Sequence, residues 1–293
     1  MNNIYRTIGI SKQGFHQWAN RALSRYEEQA QLLPIIMQIR QDHPRMSCRH
    51  IYNKLTPHYM GRDRFEVFCY THGFKVSVKR NKHKTTDSSG VIRFPNLLLT
   101  LDELTGINQL WVSDITYYEL NNSMCYLTFI TDIYNREIVG YVASKTLRTE
   151  DTTLKALRMA ISNRKISRDS ELIFHSDGGG QYYCKEFVAL TGSYGMKNSM
   201  GKTAYENPHA ERINGTIKND YLIPYGPKSF NELEKMLKKA VNMYNQQKPH
   251  KSLGGLSPEE FLNQIENGLL TKIWVINKKK KVSKKEKVNI YIN

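Results

Sequence analysis

An aspartate interrupts an otherwise apolar and β-branched run, Trp111-Val112-Ser113-Asp114-Ile115-Thr116-Tyr117. A carboxylate there is costly unless it is hydrogen-bonded, paired or bound to a metal. A second, Asp177, follows Leu172-Ile173-Phe174 and precedes Gly178-Gly179-Gly180. In α/β folds ligands collect at strand carboxyl ends, where glycines allow close backbone approach. A third, Glu211, sits about one turn into a helix whose start is marked by Asn207 as N-cap and Pro208 as first helical residue. Asp114, Asp177 and Glu211 together form an all-oxygen ligand set for hard divalent cations, magnesium or manganese. Two such ions roughly 4 Å apart activate the attacking oxygen and stabilise the leaving one at a phosphodiester, with no serine or tyrosine nucleophile required.

On the same helix Asn214 and Lys218 follow Glu211 by three and seven residues and share roughly its face. A lysine so placed suits a DNA phosphate, and Arg212 joins Asn214 and Lys218 as a DNA-contact candidate. Other polar residues fit structural roles better. Asp132 flanks the turn Tyr134-Asn135-Arg136, His175 lies beside a strand, and Glu206 precedes the helix cap. Cys48, Cys69, His43 and His50 lack zinc-ligand spacing.

The chain of 293 residues carries a formal charge of +16, unevenly distributed. Residues 1–90 hold 15 Lys+Arg against 6 Asp+Glu, residues 91–270 hold 20 against 20, and residues 271–293 hold 8 against 1. A neutral middle between two basic ends points to a polyanion partner, because cationic side chains that neutralise phosphates release condensed counterions. Four separated cysteines and the lack of a long apolar run or signal peptide point to a reducing, cytoplasmic setting without a membrane span.

The elements that must position these residues are legible in outline. Residues 4–23 read as two short helices around Gly9, with Ser11 as an N-cap, and Tyr26–Gln41 as a longer helix. Ser47 caps a helix carrying Ile51 and Leu55, and Arg62–His72 forms another that stops at Gly73. Residues 1–78 therefore form a small helical, helix-turn-helix-like region suited to DNA, followed by a linker at 79–100. Leu110–Glu119, Met124–Asp132 and Glu137–Ser144 read as a meander of strands. A helix over Thr149–Arg164, a strand over Glu171–His175 and a helix over Lys185–Tyr194 follow. Meander, then alternating helix and strand, implies an α/β sheet of the RNase H-like kind over residues 101–265. Phe230–Asn245 reads as a further helix, and residues 266–293 as a basic tail.

These segments resemble the OrfB-type DDE transposases of the insertion-sequence-three family, which carry a retroviral-integrase-type catalytic core. The resemblance runs through Gly9-Ile10-Ser11, His43-Pro44, Phe94-Pro95-Asn96-Leu97-Leu98, Trp111–Tyr117, His175–Tyr182, Glu206–Lys218 and Tyr244 to Pro258. It implies an RNase H-like core with Asp114, Asp177 and Glu211 as the metal triad. It also implies magnesium-dependent cleavage of mobile-element ends and attack of the freed 3′-hydroxyl on target DNA in the bacterial nucleoid. Homo-oligomerisation on DNA and fusion to an upstream OrfA-type partner are implied as well. The chain lacks leucine heptads at its start, so tight binding of element ends is expected to need that partner. An RNase H-like nuclease without strand transfer would use the same triad, because water and a 3′-hydroxyl need the same metals. A non-catalytic DNA-binding regulator would leave the triad unexplained.

Overall fold

The computed structural model describes residues 5, 7, 9–76, 93–201 and 207–276. The chain divides into two compact units, Met1–Ser77 and Val78–Asn293. In the first, α1 (Lys12–Asp42) begins at Ser11, whose side chain accepts from the Gly14 N–H. The two helices expected to meet near Leu23 are one continuous helix of 31 residues, which also runs through Pro34. Nothing in Leu23-Ser24-Arg25-Tyr26 is a helix breaker, and the Arg25 side chain returns a bond to the Arg21 carbonyl at 3.0 Å. Ser47 caps α2 (Cys48–Leu55), which ends where Thr56 turns left-handed. In α3 (Arg62–Thr71) Phe65, Phe68 and Cys69 face inward. These three pack with Leu32, Ile36 and Ile51 into a core of their own.

The second unit is built on a five-stranded sheet in the order β4-β3-β2-β5-β6. The antiparallel meander is β2 (Leu110–Leu120), β3 (Ser123–Asp132) and β4 (Ile138–Ser144). Parallel to β2 run β5 (Ile173–Ser176) and then β6 (Lys197–Met200). This is the RNase H-like α/β core. The last strand, β6, was not apparent in the sequence because Lys197-Asn198-Ser199-Met200 has no apolar alternation. It forms where the edge of β5 offers its backbone groups.

Alternation along the strands divides the core in two. On one face Trp111, Ile130 and Phe174 meet Leu154, Leu157 and Ile161 of α4 (Thr153–Arg164) and Phe187 of α5 (Lys185–Ser193). On the other, Leu127 and Phe129 meet Ile213 of α6 (Pro208–Gly215), Ile217, and Leu237 and Val241 of α7 (Phe230–Gln247). Between α6 and α7 the chain passes through a π-helical stretch, Thr216–Leu222, and a short turn of helix, Ile223–Tyr225. A further helix, α8 (Pro258–Glu266), opens with a full capping box between Ser257 and Glu260.

The start of the expected tail returns to the domain. A two-residue strand, β1 (Glu103–Leu104), pairs antiparallel with β7 (Trp274–Val275). The Trp274 indole donates to the Tyr134 carbonyl at 2.9 Å, and the Tyr134 hydroxyl donates to the Lys272 carbonyl at 2.9 Å. Likewise the end of the expected linker sits on β6, with the Leu97 N–H donating to Ser199 Oγ at 2.9 Å. The rest of the linker, residues 277–293 of the tail, and Glu206 lie outside the described residues. Among the described residues no helix is long and apolar enough to cross a membrane.

Candidate active site

Asp114 lies mid-way along β2, opposite Phe129 of β3. On its other side β2 and β5 are in parallel register, Val112 beside His175. Two residues further along that register bring Asp177, just past the end of β5, alongside Asp114. The Gly179 N–H donates to Asp177 Oδ1 at 3.0 Å. A Cβ on Gly179 would stand 3.0 Å from that same oxygen and 3.2 Å from Gln181 Oε1, so a side chain there would press on the Asp177 carboxylate. Below the loop, Tyr182 is buried with its hydroxyl 2.9 Å from Ser113 Oγ. The Ser113 hydroxyl donates to the Phe129 carbonyl at 2.9 Å, so Tyr182 is the donor to Ser113.

Helix α6 brings the third carboxylate. Asn207 stands at the N-cap position as expected, but its side chain makes no capping bond. It is buried and donates instead to the Ser113 carbonyl at 2.9 Å. Seven residues on, the Asn214 amide donates to Asp114 Oδ2 at 2.7 Å. Glu211 falls between these anchors, four residues after one and three before the other, on the same side of the helix. The two asparagines therefore orient the Glu211 face toward Asp114.

Asp114 feels the charge of the other two carboxylates. Burial raises the Asp114 carboxyl to about 7, and the Asp177 and then Glu211 carboxylates add to the rise. The Ile115 N–H and the Asn214 amide oppose it. Burial also raises Asp177, against the Gly179 N–H. The carboxyls are coupled through the field without being gathered at one point: among the described residues no three His, Cys, Asp or Glu side chains converge at metal-binding distance. Oxygen-only donors, one mid-strand, one just past a strand end and one on a helix, are the ligand type that hard divalent cations take, and a cation's charge would offset the repulsion felt at Asp114.

Lys218 reaches the same surface of β2, with Nζ 3.3 Å from Thr116 Oγ1 and 3.4 Å from the Tyr117 carbonyl. Thr116 lies two residues beyond Asp114 and hence on its face of the strand. Lys218 is within the π-helical stretch, so a straight α-helical projection from Glu211 does not describe its direction. Arg212 is exposed and stands on the side of α6 away from Asn207 and Asn214. Asn214 is engaged with Asp114 and so acts on the carboxylate site, which its spacing alone did not reveal. Of the residues given structural roles, Asp132 is buried and accepts from the Asn108 and Tyr134 N–H groups at 2.7 and 2.9 Å. His175 is buried, with Nδ1 2.9 Å from Ser199 Oγ. The Ser113–Tyr182 contact, which ties β2 to the loop after Asp177, has no signal of its own in the sequence.

Two family models, each described as an integrase core domain, match residues 105–205 and 194–258. A 31 kDa protein of insertion element IS600 from Shigella sonnei is 29% identical over 264 residues, which are 87% of this chain and 96% of that protein. The transposase InsF for insertion sequence IS3fB from Escherichia coli K12 is 32% identical over 166 residues, 55% of this chain and 56% of that protein. Among solved structures, the HTLV-2 integrase catalytic core domain in complex with magnesium aligns at 24% identity and a TM-score of 0.43, over 52% of this chain and 93% of that one.

Proposed function

We propose that this chain, which belongs to the insertion-sequence-three DDE transposases built on an integrase-type core, cuts the ends of its element and joins them to target DNA through Asp114, Asp177 and Glu211. It is a polynucleotidyl transferase acting in DNA integration. Integrase-type cores use divalent metals, and two magnesium ions held by the three carboxylates are the arrangement we favour. When bound, such ions would acidify the attacking water or 3′-hydroxyl and offset charge on the leaving oxygen.

The chain's own residues do the positioning. Asn214 fixes the rotamer of Asp114, and the Gly179 N–H fixes that of Asp177. Asn207 clamps the start of α6 to β2, so that Glu211 faces the aspartates. Burial lowers the pKa of the Lys218 ammonium. Lys218 is placed to hold the DNA backbone beside the reacting phosphodiester, and the exposed Arg212, on the other side of α6, contacts the DNA away from it. We further propose that the helical unit, 1–78, and the basic tail engage DNA, that the protein works as a homo-oligomer at paired ends, and that an OrfA-type partner adds end recognition. These assignments place it with the bacterial nucleoid.

The observation that carries this reading is the pair of bonds from Asn207 and Asn214 to β2, which bracket Glu211 and bring three carboxylates into one field. The test is a magnesium-dependent cleavage and strand-transfer assay on the element's end DNA, comparing wild type with Glu211→Gln. Joined products from wild type alone support a transposase with Glu211 in its centre. Cleavage without joining indicates a nuclease, and joining by both proteins removes Glu211 from the site.

A further inference from the structure

A group of side chains that offers donors and no acceptor lies on the opposite side of α6 from the asparagine anchors. His209 and Arg212, three residues apart, share that side. Arg136, in the β3–β4 turn, donates to His209 Nδ1 at 3.0 Å. Arginine cannot accept, so this bond sets the tautomer: Nδ1 accepts, and Nε2 carries the hydrogen as a further donor. Burial lowers the pKa of Arg136 and the Arg212 guanidinium adds to the fall, while Tyr244 and Asp132 pull it back up.

The cluster is held from the carboxyl end of the domain. The Trp274 ring lies beneath Arg136, 5.0 Å from guanidinium carbon to ring centroid, with Lys272 Nζ 4.7 Å from the same ring. The adjacent carboxylates are hydrogen-bonded elsewhere, though the Asp132 charge still favours the Arg136 guanidinium. Asp132 accepts from two backbone N–H groups, and Glu137 is bonded to Arg164 at 2.6 Å. Among the described residues neither Arg136 nor Arg212 has a carboxylate within ion-pair distance. Arg136 is also left-handed, with φ 63°, a conformation uncommon for any residue but glycine and asparagine.

We infer that Arg136, His209 and Arg212 form a binding site for the non-bridging oxygens of a DNA backbone phosphate, separate from the three carboxylates and on the other flank of α6. Guanidinium forks match phosphate geometry, and the contact with the Trp274 ring anchors one of them. The inference rests on the DNA-processing reading above. It adds a contact that grips the strand without touching the reacting phosphodiester. Consecutive residues of one helix, Glu211 and Arg212, then serve the chemistry and the grip.

The full chain would be titrated against a fluorescein-labelled duplex of generic sequence in EDTA over a salt series, since phosphate contacts do not depend on sequence. Arg136→Gln and Arg212→Gln should each reduce the slope of log Kd against log salt by about 0.9. His209→Ala, which removes a neutral donor, should weaken binding with the slope unchanged. Thermal melts confirm folding, and if Arg136→Gln does not fold, the exposed Arg212→Gln decides. Wild-type slopes in the arginine variants that fold overturn the site and leave the catalytic reading intact. Conversely, if Glu211→Gln still joins DNA while the arginine slopes fall, the phosphate site stands and the catalytic assignment fails.

Discussion

Asn214 and Asp114, 100 residues apart in the chain, are joined by a 2.7 Å bond from the asparagine amide to Oδ2 of the aspartate. The other oxygen of Asp114 accepts from the N–H of Ile115 at 2.9 Å. Both oxygens are thus aimed by the protein itself, one from its own strand and one from the helix that carries Glu211. A carboxylate so oriented loses little freedom when it binds a cation.

Asn214→Ala should therefore reduce strand transfer by about 10- to 100-fold, the range typical for losing a partner that orients a metal ligand. Raising the magnesium concentration should recover part of the loss. A magnesium titration of the joining reaction measures both; wild-type rates at limiting magnesium would show that the bond is incidental.

The pH dependence of stability follows from Asp114. Burial and its acidic neighbours raise the folded carboxyl from 3.8 to about 7, so between those values the folded chain holds a proton that the unfolded chain releases. The resulting stability is complete below the unfolded pKa and is lost as pH climbs through about 7. Asp132, raised to about 6 by burial, contributes with the same sign. Metal-free protein should therefore melt at progressively lower temperature as pH rises across this window. Asp114→Asn should flatten the trend and raise the melting temperature at pH above 7. The displacement caps the gain at about 4 kcal/mol, and residual solvent access reduces it. Magnesium should stabilise wild type at that pH and the variant much less. A melting series over pH, with and without magnesium, would refute this if the two proteins run parallel.

Gly140 tests the packing that supports the sheet. A Cβ built there meets the Ala156 carbonyl oxygen of α4 and approaches the Ala160 Cβ to 2.9 Å. Both are backbone or near-backbone atoms that cannot rotate away, so Gly140→Ala must lift α4 off β4. The expected cost is about 1–3 kcal/mol, read as an earlier midpoint in urea. An unchanged midpoint would mean that α4 shifts freely.

Local signals carried far along this chain. Ser11 and Ser47 cap helices as their types suggest, and the meander strands lie within a residue or two of the runs that announced them. Ser257-Pro258-Glu259-Glu260 is an equally clear helix start, with its cap, proline and reciprocal glutamate all within that run. The break expected between Leu23 and Tyr26 does not form, because a fall in periodicity, without a breaker, does not end a helix. In each case the deciding interactions lie within about one helical turn or a strand pair, and neighbouring residues write them.

By itself, then, the sequence determined which residues could serve: three carboxylates on separate elements, a capped helix, and basic ends for a polyanion. Only the tertiary structure decided which polar side chains meet. Asn207 left its helix for the Ser113 carbonyl, Asn214 turned to Asp114, and Arg136 and His209 came together across 73 residues. β6 and the β1–β7 pair likewise exist only because a distant backbone edge was there to be completed. A donor near a helix end has many nearby acceptors, and the sequence does not rank them. Packing ranks them, because the burial of Ile213 and Ile217 against the sheet presses one face of α6 onto β2. Whatever polar groups lie on that face must then be satisfied there.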